Sequence, residues 1–303
     1  MKRIKGLVCA PFTAFDARGQ ADLEKVAVQA RFYKANGISG AFVCGTTGEG
    51  SSLTMPEKKA LFDAWAKQRE EGFTVIGFLG GTSVGECREL AAYAAATGLD
   101  AVAMTAPYYQ KPASVQDLAL TLAEVASAVP DLPLCYYHIP SLTHVSFDMI
   151  DLLEAVDGRI PNFAGIKYTF ENMMDYQLCL EYGHRKYNIL WGRDEMFLEA
   201  LSIGAEAFVG STYGYHAPVY HAIREAFEAG DRARAAALQM DAVRMIRLLN
   251  RYGSGTGKAF MKAAGLDPGP CRRPLRTLTD AEYGAFLQDL SQTRFEEFKN
   301  RFA

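Results

Sequence analysis

Residues 134–169 read LCYYHIPSLTHVSFDMIDLLEAVDGRIPNFAGIKYT. Two short apolar runs, 134–138 and 163–168, flank a segment, 147–156, whose apolar residues fall at helical spacing. A strand apolar on both faces, then a helix, then another such strand is the pattern of a parallel βαβ unit. The alternation continues in both directions. Further strands are predicted at 6–11, 40–45, 74–79, 101–106, 187–191 and 207–210, making eight with the two above. Helices are predicted at 22–36, 56–71, 84–97, 115–129, 147–156, 171–182, 195–203 and 218–228. Their limits have local causes: Thr54 ahead of Pro56 is a start signal, and Asn36 followed by Gly37 is a stop.

Eight βα units with doubly apolar strands predict an α/β fold, a closed (β/α)8 TIM barrel with no open edge. A doubly wound open sheet is the alternative. Three more helices are predicted at 232–250, 258–264 and 280–299, the last with Phe286, Leu287 and Leu290 at core-like spacing. The chain therefore divides into a barrel, 1–230, with its active site at the C-terminal strand ends, and a helical appendage, 231–303, packed on it.

At 303 residues, 49% hydrophobic and 22% charged, the chain is long enough for one large core or two modest ones. With 32 basic against 35 acidic side chains it has no field that would gather nucleic acid or a membrane surface, so a small-molecule substrate is the expected partner. Cys9, Cys44, Cys87, Cys135, Cys179 and Cys271 are widely spaced, without the grouping of a metal or disulfide cluster. Lys2, Arg3 and Lys5 precede an apolar stretch that breaks at Pro11, too short for a signal or a membrane span, so a cytoplasmic location is expected.

In a parallel barrel, polar residues at the C-terminal strand ends share one mouth. After the second strand, Gly45-Thr46-Thr47-Gly48-Glu49-Gly50 offers hydroxyls and amides that suit a carboxylate or phosphate, although a plain turn reads the same way. In the sixth strand Lys167 interrupts an apolar run. A buried ammonium loses its solvation, which favours the free amine that attacks carbonyls. The competing reading is a lysine that snorkels to the surface.

The fifth strand ends in Tyr136-Tyr137-His138-Ile139-Pro140, where alternation sends the two phenols to opposite faces. His138 is the competing base, though a lone histidine among core residues more often serves structure. Trp191-Gly192-Arg193-Asp194-Glu195 and Gly210-Ser211-Thr212-Tyr213 end the last two strands. Their carboxylates can bind a polyhydroxy substrate, or Asp194 can cap the following helix. Gly253-Ser-Gly-Thr-Gly-Lys258 is not a phosphate loop: its first glycine is displaced, no Ser or Thr follows the lysine, and a helix precedes it. No metal-ligand spacing is found.

With these residues in place, the chain resembles the dihydrodipicolinate synthase and N-acetylneuraminate lyase superfamily of class I aldolases. The likeness runs from Ile4 to about Tyr213 and continues more loosely beyond. Gly45 to Glu49 match the family's glycine–hydroxyl–hydroxyl–glycine–glutamate run. Tyr137, Ile139 and Pro140 match its strand-five signature, and Gly165-Ile166-Lys167 matches its Schiff-base lysine. Synthases acting on aspartate semialdehyde carry an arginine two residues after the proline, where this chain has Leu142. Tyr136 to Thr143, Thr169, Gly192 with Asp194 and Glu195, and Gly210 to Tyr213 instead resemble the sialic acid lyase branch.

The resemblance implies cleavage of N-acetylneuraminate through a covalent imine on Lys167, with no cofactor and no metal. Tyr137 is the implied proton carrier, and Thr46 and Thr47 hold the substrate carboxylate. Thr169, Gly192, Asp194, Glu195 and Ser211 meet the N-acetyl and polyol portion, and Arg193 has no fixed family role. A homotetramer built as a dimer of dimers is implied as well, in which Tyr108 or Tyr109 reaches a neighbouring site; an inward-packed aromatic pair is the other reading. The alternatives left open are another pyruvate-dependent aldolase or dehydratase acting on 2-keto-3-deoxy sugar acids, and a non-enzymatic barrel that senses keto acids.

Overall fold

The computed structural model describes residues 3–302, so Lys2 and the outermost residues of the predicted 1–230 and 231–303 segments lie outside the described residues. The strands are β1 (Gly6–Cys9), β2 (Ile38–Val43), β3 (Thr74–Gly80), β4 (Ala101–Met104), β5 (Leu134–His138), β6 (Phe163–Tyr168), β7 (Asn188–Trp191) and β8 (Ala207–Gly210). All pair in parallel and in chain order, and β8 returns to β1, which closes the barrel and removes the open-sheet alternative.

Between the strands run α1 (Glu24–Ala35), α2 (Met55–Ala66), α3 (Val84–Thr97), α4 (Val115–Ala126), α5 (Pro140–Thr143), α6 (Met149–Val156), α7 (Met173–Arg185) and α8 (Phe197–Ser202). After β8 come α9 (Tyr213–Glu228), α10 (Arg232–Tyr252), α11 (Thr256–Ala263), α12 (Asp280–Leu290) and α13 (Phe295–Phe298).

Strand alternation splits the apolar side chains into two layers. Val8, Phe42, Ile76, Ala103, Tyr137 and Val209 fill the barrel, while Leu7, Val43, Tyr136 and Tyr168 join the core between strands and helices. That outer core runs without a break into the C-terminal helices through Leu238, Met245, Phe260, Phe286 and Phe295. Local chemistry sets several helix starts. Thr54 and Glu57 form a reciprocal capping box at α2, and Ser83 and Ser114 accept from the first-turn amides of α3 and α4.

Element ends shift by a few residues from expectation, α2 for instance stopping at Ala66 and not 71, and three larger differences stand out. A single turn of helix, α5, follows β5 directly. The helix after β8 starts at Tyr213, not 218, with a kink at His216. There the Ala217 N–H donates to Asn300 Oδ1 at 2.7 Å, and Asn300 Nδ2 donates to Tyr213 O at 2.9 Å, so the tail satisfies backbone groups that the kink leaves open. The predicted helix 280–299 is broken into α12 and α13. Thr293 causes the break by donating its hydroxyl to Leu290 O and accepting from the Phe295 N–H.

Candidate active site

Strand register decides which side chains meet at the mouth. Tyr137 of β5 pairs with Lys167 of β6, and Lys167 pairs with Leu190 of β7. Lys167 is 5% exposed, and its Nζ lies 4.0 Å from the Tyr137 ring centroid and 4.1 Å from that of Phe42. Both rings belong to the barrel interior, so the lysine points inward and does not snorkel out. Among the described residues no carboxylate is within ion-pair distance of this nitrogen. An amine walled by ring faces can approach a carbonyl carbon without breaking an ion pair.

Thr46 and Thr47 sit in the loop after β2, bracketed by Cys44 and Glu49, two non-glycine residues with φ of 59° and 55°. The left-handed backbone folds the loop on itself: Gly50 N–H donates to Gly45 O at 3.0 Å, and Glu49 N–H to Thr46 O at 3.1 Å. Thr46 is exposed to the mouth and Thr47 is half-buried.

A cavity of about 250 Å³ collects most of the predicted residues. The loop after β2 contributes Thr46 and Thr47, strands β5 and β6 contribute Tyr137 and Lys167, and the segments after β7 and β8 contribute Gly192, Asp194, Glu195 and Ser211. Ile246 and Leu249 of α10 complete the wall. Thr169 stands just behind it. Its N–H donates to His138 O at 2.8 Å, its buried Oγ1 has no partner, and a Cβ on Gly192 would come within 2.0 Å of that hydroxyl. Tyr108 and Tyr109 are not in this cavity. Tyr108 lines a neighbouring cleft of about 260 Å³ with Thr46, Leu142 and Thr143, and Tyr109 is 85% exposed, which overturns the inward-packed reading for it.

The cap role considered for Asp194 is corrected. Its carboxylate turns across to β8, where Oδ2 accepts from Thr212 Oγ1 at 2.6 Å and from the Thr212 N–H at 3.1 Å. Oδ1 is buried without a partner, and burial pushes the carboxyl up to about 6 against the pull of the Thr212 donors. Arg193 bridges two acids: Glu171, after β6, and Glu195, at 3.1 Å.

His138 lies on the outer face among Tyr136, Tyr168 and Phe170, and burial drives it down to about 3. A ring so placed is neutral and turned away from the cavity, and so is the Tyr136 phenol.

Two contributors escaped the sequence reading. Gln239 of α10 donates to the carbonyls of Glu195 at 3.0 Å and Asp194 at 3.3 Å, and accepts from the Leu198 N–H at 3.1 Å. Its signal was available: a lone amide within the buried stripe of Ala235, Leu238, Ala242 and Met245. The other is Lys258, buried beside Glu49. Among the described residues no cluster of three or more His, Cys, Asp or Glu side chains is placed to hold a metal ion, and no helix is long and apolar enough to cross a membrane.

Comparison with known proteins adds a name to this geometry. Residues 3–293 match the model of the dihydrodipicolinate synthetase family. N-acetylneuraminate lyase A of Xenopus laevis is 37% identical over 279 residues, covering 90% of this chain and 91% of that protein. The solved structure of Proteus mirabilis N-acetylneuraminate lyase superposes with a TM-score of 0.93 at 34% identity, covering 97% of this chain and 100% of the other. That of the Aliivibrio salmonicida N-acetylneuraminate lyase, a sialic acid aldolase, also gives 0.93, at 32% identity over 97% of this chain and 98% of its own.

Proposed function

We propose that this chain, which belongs to the dihydrodipicolinate synthetase family, is an enzyme that reversibly cleaves N-acetylneuraminate to N-acetylmannosamine and pyruvate through an imine on Lys167. The observation that carries the reading is the single cavity shared by an inward lysine, its register partner Tyr137, a two-threonine loop and the polar ends of β7 and β8.

In the proposed reaction the Lys167 amine adds to the C2 ketone of the open-chain sugar acid, and loss of water leaves an iminium. The C3–C4 bond then breaks, and its electron pair moves into the iminium to give an enamine. Tyr137 relays the proton of the C4 hydroxyl, passing its own toward the substrate carboxylate, and C4 becomes the aldehyde of N-acetylmannosamine. Protonation of the enamine at C3 and hydrolysis of the resulting imine release pyruvate and restore the amine. The lysine supplies the electron sink, so the reaction requires no dissociable cofactor.

Thr46 and Thr47, with the loop amides, hold the carboxylate, while Thr169, Gly192, Asp194, Glu195 and Ser211 meet the N-acetyl and polyol portion. The same reading assigns a homotetramer built as a dimer of dimers, with the exposed Tyr108–Tyr109 loop completing a neighbouring site, and a reducing cytoplasmic setting that suits six unpaired cysteines.

The test is product analysis. N-acetylneuraminate is expected to yield pyruvate and N-acetylmannosamine in equal amounts, and Lys167→Ala to yield neither while keeping its thermal transition. Release of pyruvate from 2-keto-3-deoxy sugar acids but not from N-acetylneuraminate would contradict the substrate assignment.

A further inference from the structure

The glycine-rich run 253–258 takes no part in the steps above. In the fold its glycines permit close approach. A Cβ on Gly257 would lie 2.6 Å from the Phe12 ring, and one on Gly255 2.2 Å from Arg276 O. The first turn of α11 thereby packs against the segment after β1, and Lys258 enters the wall of the mouth only 4% exposed. There its Nζ meets Glu49 Oε1 at 2.7 Å, donates to Pro270 O at 2.6 Å and lies 4.3 Å from the Phe15 ring centroid. The second Glu49 oxygen accepts from the Arg272 N–H at 2.7 Å. Burial pulls the Lys258 ammonium below its ordinary value while Glu49 pulls it up.

A buried ion pair loses so much solvation that stability alone is a poor reason for one. Its position supplies a better reason. Glu49 ends the loop that presents Thr46 and Thr47, and a left-handed non-glycine residue persists where its surroundings hold it. A cleft of about 480 Å³ lined by Glu49 and Lys258 also reaches both threonines. We propose that Lys258 and Glu49 are positioning residues for the keto-acid end of the substrate: the C-terminal helices supply a charge that fixes the two-threonine loop against the substrate carboxylate. This rests on the reading of Lys167 as the imine-forming lysine.

The test is a pyruvate titration read by borohydride trapping on Lys167, with thermal denaturation run on each variant. Lys258→Met is expected to raise half-saturating pyruvate about ten-fold while the fraction trapped at saturation is kept. Half-saturating N-acetylmannosamine, measured in the synthetic direction at saturating pyruvate, is expected to stay within about two-fold, since the pair bonds to each other, Pro270 O and the Arg272 N–H and to no residue assigned to the sugar end. The double variant Glu49→Gln, Lys258→Met leaves no bare ion in the wall and is used where the single variant does not fold; it is expected to show the same weakened pyruvate binding. A folded variant whose half-saturating pyruvate stays within about two-fold of the parent overturns the positioning role. A parent chain that forms no pyruvate adduct overturns the imine reading itself, and the two failures are distinct.

Discussion

Burial holds the Asp194 carboxyl at about 6 although Thr212 donates to it twice. In the unfolded chain the same group ionises near 3.8, so between those values the folded state binds the proton more tightly. The stability this gives is full below the lower value and is lost as pH rises through the upper one, about 3 kcal/mol in all. Asp194→Asn has no such loss. Its melting temperature relative to the parent is expected to climb between about pH 4 and about pH 7, and a constant offset in denaturation scans would contradict this. Arg193 calls for a different measurement. Because its bridge to Glu171 and Glu195 is partly exposed, Arg193→Gln is expected to raise KM for N-acetylneuraminate only about 2- to 5-fold, with half-saturating pyruvate unchanged. Lys167 was legible because a lysine inside an apolar strand has few explanations. The orientation of Asp194 was not, because it depends on Thr212, which the pairing of β7 with β8 brings near.

At the scale of elements, punctuation decided what the sequence could reveal. Strands β5, β6 and β8 and helix α3 run over the residues predicted for them, with Gly210 ending β8 and Ser83 and Gly98 bounding α3. The break between α12 and α13 was hidden because no glycine or proline marks it, the residues between being Ser291, Gln292, Thr293 and Arg294, while a single hydroxyl at Thr293 redirects the backbone. The early start of α9 was hidden too, since its kink is satisfied by Asn300, more than eighty residues further along. Helix α10 is more than a cover: Gln239 ties it to the carbonyls of Asp194 and Glu195, in the segment that follows β7. Gln239→Leu strands those buried groups, and is expected to cost about 1–3 kcal/mol in chemical denaturation. A loss near zero would mean the carbonyls find other donors.

For the whole molecule, the eight-fold recurrence of the βα unit made the barrel readable, but the open sheet was excluded only by the pairing of β8 with β1. The mouth is built from loops contributed by β2, β5, β6, β7 and β8 and finished by α10 and α11, which is why its membership could be anticipated by motif and its inner bonding could not. Assembly belongs to this scale as well. With Tyr109 85% exposed beside the mouth, sedimentation is expected to find a tetramer, and Tyr108→Ala with Tyr109→Ala is expected to lower kcat/KM; a fully active monomer would contradict the shared site. The imine on Lys167 is the claim on which the rest depends, and reduction with borohydride during turnover of N-acetylneuraminate, followed by peptide mass mapping, tests it most directly. A reduced pyruvate adduct on the peptide carrying Lys167, absent from Lys167→Ala, is expected. Turnover to pyruvate with Lys167 unmodified would contradict the mechanism.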